Sequence, residues 1–338
     1  MSYESSLIAL INGVMPPSPL RKSSPGEVDA ELIRLGDKDF LFTTDDFSAE
    51  DLLREDQPFE LGWNLACGAI SDIIAAGGKA LVYAHAMVIP ATWDEPYLRE
   101  FSRGISAVLG QYSVSFIGGD LGRGQTWRYT ASVIGVPEAK ALTRRGCRAG
   151  DAIMITGRIG AGNLMAAMGL FPDIQAASLK DATLRFSTHP KLSGIISQYA
   201  SCTIDTSDGV FAALQTLCDL NGTGFSLGKL PLHDQGLLAS RLLGLPDLLL
   251  FLGECGEYEI LFTVSQPHKK QLMADLCKQE IEIHELGQIT ANPGQKTVLH
   301  EDRHYDLDDY RIKARDFEGV SAYLKAMTVW LEKKGARR

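Results

Sequence analysis

Short acidic stretches recur along this chain, and each follows an apolar run typical of a strand or a helix. They are TTDDF (43–47), AISD (69–72), FIGGD (116–120) and TIDTSDG (203–209). Aspartate is common at such ends because it accepts hydrogen bonds from backbone N–H groups. Carboxylates that a fold brings together repel one another, so a site built in this way usually holds hard cations such as Mg²⁺. Four such stretches favour a shared Mg²⁺ site, and magnesium in turn suggests a polyphosphate ligand.

The length and charge of the chain limit the classes of protein to which it can belong. At 338 residues it exceeds the usual size of a single hydrophobic core, which predicts two α/β domains. A formal net charge of −9 argues against a nucleic-acid or anionic-membrane partner, because either would require a basic face. A phosphate ligand would therefore need a bridging metal ion.

The cysteines and apolar segments predict a cytoplasmic protein. None of the six cysteines forms a CxxC pair or a Cys/His cluster, so we expect reduced thiols. The apolar stretch 7–15 lacks a basic flank and contains Asn12, which is typical of a short helix and not of a signal peptide. No stretch approaches the roughly 20 apolar residues that span a bilayer.

The first half of the chain predicts a sheet with two helices. Strands are expected at 39–43, 80–89, 113–117 and 129–136, and helices at 61–77 and 95–109. Apolar residues every three or four positions in 61–77 indicate one buried helical stripe. The first strand should place Thr44 and Asp45 at its end, and the strand at 113–117 should run into Gly118 and Gly119.

The second half predicts a further α/β unit. Its composition changes to Gly, Arg and Ala at 146–151, where we place a domain boundary. The predicted parts are an N-terminal domain (1–148), a C-terminal domain (149–315) and a tail (316–338), of which 331–338 is expected to fray. Strands are predicted at 152–156, 202–204, 224–227, 259–264 and 281–287, and helices at 210–220 and 268–278.

Two glycine-rich segments suggest nucleotide binding to different degrees. TGRIGAG (156–162) follows a strand but lacks the GxGxxG spacing of a dinucleotide fingerprint, and a tight turn also explains it. The chain contains no GxxxxGK[ST] phosphate loop. In FIGGDLGRG (116–124), paired glycines allow close approach of a ligand, Asp120 can hold a metal ion and Arg123 can bind a phosphate oxygen. This second segment suits a metal-bound nucleotide.

Six blocks in order give a resemblance to a known family. They are TTD, ISD, IGGD, LTRRGCRAGD (142–151), TIDTSDG and GECGEYEI (253–260). Over roughly residues 26 to 290 the chain resembles thiamine-monophosphate kinase, whose superfamily includes aminoimidazole ribonucleotide (AIR) synthetase, selenophosphate synthetase and a hydrogenase maturation enzyme. The resemblance implies a two-domain AIR-synthase-like α/β (α+β) fold, with an N-terminal domain that dimerises through its sheet. It also implies direct transfer of the γ-phosphoryl group of ATP to thiamine monophosphate.

The resemblance further implies roles for individual residues. The metal-binding positions of the family match Thr44, Asp45, Asp72, Asp120 and Asp208. Its ATP-contacting positions match Gly119, Asp120, Arg144 and Ser207. Phosphoryl transfer mainly requires alignment and charge neutralisation, so Mg²⁺ ions on carboxylates such as Asp208, together with Arg144, would suffice for catalysis.

Three stretches depart from the family pattern. Where the family begins with Gly-Asp-Asp, GEVDA (26–30) keeps Glu27 and Asp29 in altered spacing. The stretch 46–56 lacks the substrate-binding His of the family. The late Gly-Gly-Glu-Asp-Tyr-Glu motif has become GECGEYE, so the substrate-binding Glu corresponds to Glu254 or Glu257. Cys255 in this loop has no recognisable His partner, and we expect a structural thiol.

The altered stretches fall on the acceptor side, while the nucleotide side is better kept, and this leaves three hypotheses. The first is a dimeric, Mg²⁺-dependent ATP:thiamine-phosphate phosphotransferase. The second is an enzyme of the same superfamily with another small-molecule acceptor. The third is a non-catalytic nucleotide-binding homologue, for which ATP would bind with Mg²⁺ but no acceptor would turn over.

Overall fold

Two β-sheets with helices packed on them make up the part of the chain that the computed structural model describes, residues 3–171, 179 and 184–335. The first sheet has five strands in the order β1-β2-β5-β3-β4. Its strands are β1 (Glu31–Leu35), β2 (Lys38–Ser48), β3 (Gly78–Ile89), β4 (Ser115–Arg123) and β5 (Arg128–Pro137). The first helices are α1 (Tyr3–Val14), α2 (Pro58–Ala75) and α3 (Glu95–Tyr112). Strand β4 runs parallel to β3, and the other neighbours in this sheet are antiparallel.

The second sheet has seven strands in the order β12-β11-β8-β10-β6-β9-β7. They are β6 (Ala152–Thr156), β7 (Ala200–Asp205), β8 (Gly224–Leu227), β9 (Ile260–Val264), β10 (Ile283–Thr290), β11 (Lys296–His300) and β12 (Arg303–Asp306). The helices are α4 (Ala161–Leu170), α5 (Leu192–Tyr199), α6 (Val210–Asn221), α7 (Asp234–Leu243), α8 (Leu249–Leu252), α9 (Gln266–Lys278) and α10 (Val320–Gly335). Strands β6 and β9 are buried at every position, as their continuous apolar sequences require.

Helix α2 connects the two sheets. Proline at its first position is compatible with a helix start, and its Ala, Leu and Ile residues bury most of its surface. At the crossing with α3 the backbones touch, because a Cβ on Gly62 would lie 2.0 Å from the carbonyl oxygen of Phe101. On the other side, Thr203 of β7 donates a hydrogen bond to the carbonyl of Ala75 at the end of α2. The helix therefore fixes its Ser71 and Asp72 against the second sheet.

Two strands of the first sheet are longer than the sequence predicts. Strand β2 continues to Ser48 because its pairing with β5 extends that far, so Thr44 and Asp45 lie inside the strand and not at its end. Strand β4 continues through both glycines to Arg123, and Gly118 takes a φ of +112° where its register with β3 shifts. A side chain is strained in that conformation, and glycine is not.

The predicted C-terminal tail is largely helical. Residues 320–335 form α10, and Tyr323, Met327 and Leu331 on one of its faces are buried in the second core. Their spacing of four residues is the periodicity of an amphipathic helix. The expectation of fraying from 331 onward is therefore wrong as far as 335.

The mixed α/β architecture with two sheets confirms the predicted fold class. Within the described residues, none of the helices combines the length and the apolar character needed to cross a membrane.

Candidate functional site

An acidic cleft of about 480 Å³ lies where the first sheet, α2 and the end of β7 meet the loop before β9. We call it the acidic cleft. Eight carboxylate side chains are among its lining residues, and no Lys or Arg of the described chain is among them. They are Asp45, Asp46, Glu50, Asp51, Asp72, Asp205, Asp208 and Glu254. Such a concentration of one charge requires a cation when the cleft is filled by a phosphate ligand.

Three carboxylates form the inner cluster of this region. Asp29, Asp72 and Asp205 each offer an oxygen atom, and the three atoms lie within 4.8 Å of one another. Asp29 comes from the loop before β1, Asp72 from α2 and Asp205 from the end of β7. An all-oxygen set of this kind fits a hard cation such as Mg²⁺ better than a soft metal, which would prefer sulfur or nitrogen.

Neighbouring side chains hold each of the three carboxylates in place. Thr43 donates a hydrogen bond to Asp72. The hydroxyl of Ser71 donates to Asp205 at 2.7 Å, and that of Ser207 donates to Asp205 at 3.0 Å. The Arg144 guanidinium donates to Asp29 at 2.8 Å. The cluster is thus ordered by fixed partners, which reduces the entropy lost when an ion binds.

The electrostatics of the cluster favour an added cation. Burial, followed by repulsion from Asp205 and Asp29, raises the pKa of Asp45 to about 7. Burial and the charge of Asp29 raise the pKa of Asp205 to about 6. Burial and its carboxylate neighbours raise the pKa of Asp72 well above its usual value. A divalent cation bound among these carboxylates would offset their mutual repulsion and would compete with protons for their oxygen atoms.

Arg144 supplies the positive charge at the inner end. Burial opposes its charge, but attraction to Asp29, Asp205 and Asp72 outweighs burial and raises its pKa. Its side chain keeps 24% of its surface exposed, whereas the side chain of Asp29 keeps 1%. Arg144 is therefore fixed by a buried partner and still open to a ligand.

Most of the predicted metal and ligand residues come together here. Asp45, Asp72, Ser207, Asp208 and Glu254 all line the acidic cleft. Arg144 joins them through Asp29. In the altered GEVDA segment, Asp29 belongs to the inner cluster, while Glu27 pairs with Arg145.

The structure of the single chain places the other predicted residues elsewhere. The Thr44 hydroxyl contacts Ser132 on the far face of the sheet, since successive strand residues point to opposite faces. Asp120 is exposed on the edge strand β4, directly after Gly119. Through the successive strand pairings it lies in register with Asp46 of β2. Arg123, at the end of the same strand, lines a separate surface cleft beside α3. None of these residues lines the acidic cleft.

The two candidate substrate glutamates have different environments. Glu254 lines the cleft and pairs with Lys313 at 3.2 Å. Glu257 is buried below the cleft, where it accepts hydrogen bonds from the backbone N–H groups of Gly160 and Gly162 at 3.1 and 3.4 Å. Burial raises the pKa of Glu257 to about 8. Geometry therefore favours Glu254 for contact with a substrate.

Sequence reasoning missed Asp205. It lies in the same TIDTSDG stretch as Asp208, at the end of a strand of apolar and hydroxyl residues, so the signal that selected the other aspartates also applied to it. Tyr258 was missed too, and it lines the cleft with a φ of +57°. The thiol of Cys255 lines the cleft as well. Burial and nearby Glu254 raise its pKa to about 11, which keeps it protonated at neutral pH and makes it a poor nucleophile.

Comparisons with known proteins give a consistent picture. A family profile described as the N-terminal domain of AIR synthase related proteins matches residues 27–137. Thiamine-monophosphate kinase of Escherichia coli (strain K12) is 29% identical over 277 residues, which cover 78% of this chain and 83% of the relative. The solved structure of AaThiL complexed with AMPPCP and TMP has a TM-score of 0.72 and 21% identity, covering 90% of this chain and 96% of that chain.

A second fold neighbour is a hydrogenase maturation protein. E. coli HypE has a TM-score of 0.65 and 16% identity, covering 90% of this chain and 96% of that chain. At this identity the likeness shows the fold alone. The family profile and the curated relatives confirm the resemblance seen in the six sequence blocks. Residues 27–137 match the N-terminal domain of AIR synthase related proteins, and most of the chain is similar to the thiamine-monophosphate kinases.

Proposed function

We propose that the protein transfers the γ-phosphoryl group of ATP to thiamine monophosphate in a Mg²⁺-dependent reaction, giving thiamine diphosphate and ADP. The observation that carries the proposal is the convergence of Asp45, Asp72, Asp205 and Asp208 on one cleft beside Arg144. The curated relatives that match most of the chain are named as kinases of this type, and the AaThiL structure holds AMPPCP and TMP.

Asp29, Asp72 and Asp205 are the residues that would hold Mg²⁺ at the inner end of the cleft. Asp45, whose charge interacts with two of them, and Asp208 lie close enough in the cleft to extend the set of oxygen ligands. When bound, Mg²⁺ supplies the positive charge that lets a triphosphate enter a cleft of carboxylates and that offsets charge in the transition state. The carboxylates and Ser207 keep the site in one geometry.

Arg144 supports phosphoryl transfer by charge and alignment. Asp29 holds its guanidinium in a fixed orientation, and a guanidinium can donate two parallel hydrogen bonds to phosphate oxygens. The reaction needs no covalent enzyme intermediate, because phosphoryl transfer depends mainly on positioning and electrostatic stabilisation. This agrees with the raised pKa of Cys255.

The acceptor side of the cleft suits a cationic ring. Glu254 and Cys255 also line an apolar cavity of about 150 Å³ that opens beside the acidic cleft. Leu164, Leu250 and Tyr323 are among the residues that form its walls. Glu50, Asp51 and Glu254 add negative charge near its mouth. A phosphomonoester with a flat, positively charged heteroaromatic ring would match both the apolar walls and the acidic rim.

A homodimer is part of the same proposal. The first sheet exposes apolar side chains along β4 and also on β2 and β5, namely Phe116, Ile117, Leu121, Phe42 and Ile134. An exposed apolar sheet surface of this kind is typical of an interaction site. Thr44 and Asp120, which do not reach the acidic cleft in the single chain, lie on this sheet.

The test is conversion of thiamine monophosphate by the purified protein with ATP and Mg²⁺, followed by mass-resolved chromatography and ADP measurement. We expect thiamine diphosphate and ADP in equal amounts, and no product when EDTA replaces Mg²⁺. If ATP binds but thiamine monophosphate is not converted, the acceptor assignment is wrong. If neither ATP nor Mg²⁺ binds, the assignment of the acidic cleft is itself wrong.

A further inference from the structure

A buried ion pair lies behind the loop that carries the candidate substrate glutamate. The Nε2 atom of His189 and a carboxylate oxygen of Glu259 are 2.8 Å apart. The side chain of His189 keeps 11% of its surface exposed, and that of Glu259 keeps 5%. Neither residue is among those that line the acidic cleft. The pair can therefore affect a ligand in the cleft only through the residues that it holds in place.

Glu259 connects three segments around the acidic cleft. Its carboxylate accepts a hydrogen bond from the hydroxyl of Thr156 at the end of β6. Its carbonyl oxygen accepts one from the N–H of Thr206 at 2.9 Å. The carboxylate also packs against Gly157, where a Cβ would lie 2.2 Å from one of its oxygen atoms. The position of Glu259 therefore fixes the end of the loop 253–259, which joins α8 to β9.

The other partner, His189, belongs to a segment that is attached to the helices of the first sheet. Residues 184–189 form neither a helix nor a strand. Asn64 of α2 accepts a hydrogen bond from the N–H of Phe186 at 2.9 Å. The N–H of His189 donates to the hydroxyl of Tyr112 at the end of α3, at 2.8 Å. The ion pair therefore connects these two helices to the start of β9.

The loop 253–259 presents side chains to the acidic cleft. Glu254 and Tyr258 are among the residues that line it. The ring of Tyr258 packs against the ring of Phe186, with their centroids 5.1 Å apart. The backbone of Tyr258 has a φ of +57°, which is strained for a bulky side chain and persists only where neighbouring contacts hold it. The 184–189 segment supplies such contacts through the Phe186 ring and the ion pair.

Removal of the imidazole would leave a buried charge without its partner. Burial opposes the ionised form of Glu259, but the hydrogen bond and the charge of His189, together with the hydroxyl of Thr156, outweigh burial and lower its pKa. An ionised carboxylate cannot donate, so the Nε2–H of His189 is the donor in this pair. Without this donor the carboxylate must take up a proton or move toward water, and either change loosens the end of the loop.

We propose that His189 is a positioning residue for the phosphoryl acceptor, which acts through Glu259 to hold Glu254 and Tyr258 at the acidic cleft. The inference rests on the proposed function, in which Glu254 is the candidate contact to the acceptor. The carboxylates of the inner cluster are held by hydrogen bonds from outside the 253–259 loop. Loss of His189 should therefore weaken binding of the acceptor more than binding of ATP.

The first test is steady-state kinetics with ATP, Mg²⁺ and thiamine monophosphate. His189→Ala should raise KM for the acceptor by about 10-fold and change kcat and KM for ATP by less than about 2-fold, because only acceptor binding is weakened. His189→Gln places an amide N–H near the position of Nε2, so its KM for the acceptor should stay close to that of the wild type. An unchanged KM in His189→Ala, or no rescue by His189→Gln, would overturn the proposal.

His284→Ala is the matched control. His284 forms the same kind of pair with Glu282, also at 2.8 Å, but these side chains are 27% and 56% exposed and do not line the acidic cleft. The control variant should therefore keep the wild-type KM for both substrates. If it raises KM for the acceptor as much as His189→Ala does, the effect is not specific to the 253–259 loop and the proposal is overturned.

A second test needs no activity and uses amide hydrogen exchange of the full-length protein, read by mass spectrometry. His189→Ala should exchange faster than the wild type in peptides that cover 253–259, while peptides of β3 in the first sheet keep the wild-type rate. Unchanged exchange in the loop, or faster exchange throughout the protein, would overturn the proposal. If the wild-type protein binds ATP but does not convert thiamine monophosphate, the proposed function fails, and the exchange result still decides whether His189 holds the loop.

Discussion

At the scale of residues, one short motif supplies two carboxylates with different roles. Asp205 ends β7 and points into the inner cluster, where Ser71 and Ser207 donate to it. Asp208 follows in the turn before α6 and lines the acidic cleft. Sequence spacing alone does not distinguish the two, because both follow the same strand. The packing of α2 against β7 makes Asp205 the inner residue.

Asp205→Asn tests the inner cluster directly. It keeps the volume of the side chain and removes one charge, so we expect kcat to fall by about 10²- to 10³-fold, the size typical of losing one electrostatic contact to a transition state. In EDTA the thermal midpoint should stay the same or rise, because one of three repelling carboxylates is gone. Asp37→Asn, in the exposed turn between β1 and β2, is the control and should leave both quantities unchanged. Full activity of Asp205→Asn would remove Asp205 from the site.

At the scale of elements, the C-terminal helix shows why the end of the chain is difficult to predict. The basic end LEKKGARR is typical of a solvated tail, yet Leu331 at its start is only 5% exposed. The helix is stabilised by its contacts with the second core, where Tyr310 packs edge-on against Trp330. Helices gain most of their stability from such tertiary contacts and less from local propensity.

Met327→Ala measures what α10 contributes. Met327 is 1% exposed, and removing a buried Met side chain usually lowers the free energy of unfolding by about 2 to 5 kcal/mol. Val329→Ala, on the exposed face of the same helix, should change the free energy of unfolding by less than about 0.5 kcal/mol. Urea unfolding of both variants makes the comparison. Equal, small effects would show that 316–338 behaves as the predicted tail.

The carboxyl group of Glu257, which binds the backbone at the start of α4, should make the free energy of unfolding depend on pH. The pKa of Glu257 is raised from 4.5 to about 8 in the folded protein, chiefly by burial. Between these values the folded state binds more protons than the unfolded state, so the free energy of unfolding falls as pH rises. Glu257→Gln should be more stable than the wild type near pH 8. Its free energy of unfolding should also fall less than that of the wild type as pH rises from 4.5 to about 8. Chemical unfolding of metal-free protein at the two ends of the range gives the slopes.

The control for this prediction is a solvent-exposed glutamate of the same protein. Glu332→Gln changes an exposed residue on α10 and should keep the pH slope of the wild type. If Glu257→Gln also keeps that slope, the Glu257 carboxyl group does not take up a proton on folding. Its second oxygen, Oε1, is buried without a hydrogen-bond partner among the described residues, so a charged carboxylate is poorly stabilised there.

At the scale of the whole molecule, the site exists only when three distant segments meet. Asp29, Asp72 and Asp205 belong to a loop, a helix and a strand end, and the helix packs against both sheets. The unfolded chain has no comparable cluster. Binding of Mg²⁺ should therefore stabilise the folded state by linkage.

Mg²⁺ should raise the thermal midpoint of the protein in the absence of nucleotide. A ligand at 100 times its dissociation constant stabilises the folded state by about 2.7 kcal/mol. Asp72→Asn should lose most of this shift, and Asp37→Asn should keep it. The shift should also shrink as pH falls below about 7, because protons compete for Asp45 and its neighbours. A midpoint that does not respond to Mg²⁺ would contradict the metal assignment even if the enzyme were active.

The sequence by itself determined the mixed α/β class, the positions of most strands in both sheets and the acidic stretches that supply the site. These follow from local patterns, since apolar runs and Gly or Asp at their ends reflect the chemistry of neighbouring residues. Only the tertiary structure decided that Asp29 and Asp205 join Asp72, that Glu254 faces the cleft while Glu257 lies beneath it, and that Thr44 and Asp45 point to opposite faces. The physical reason is that these outcomes depend on strand length, register and the packing of α2, which are fixed by contacts between residues far apart in the chain.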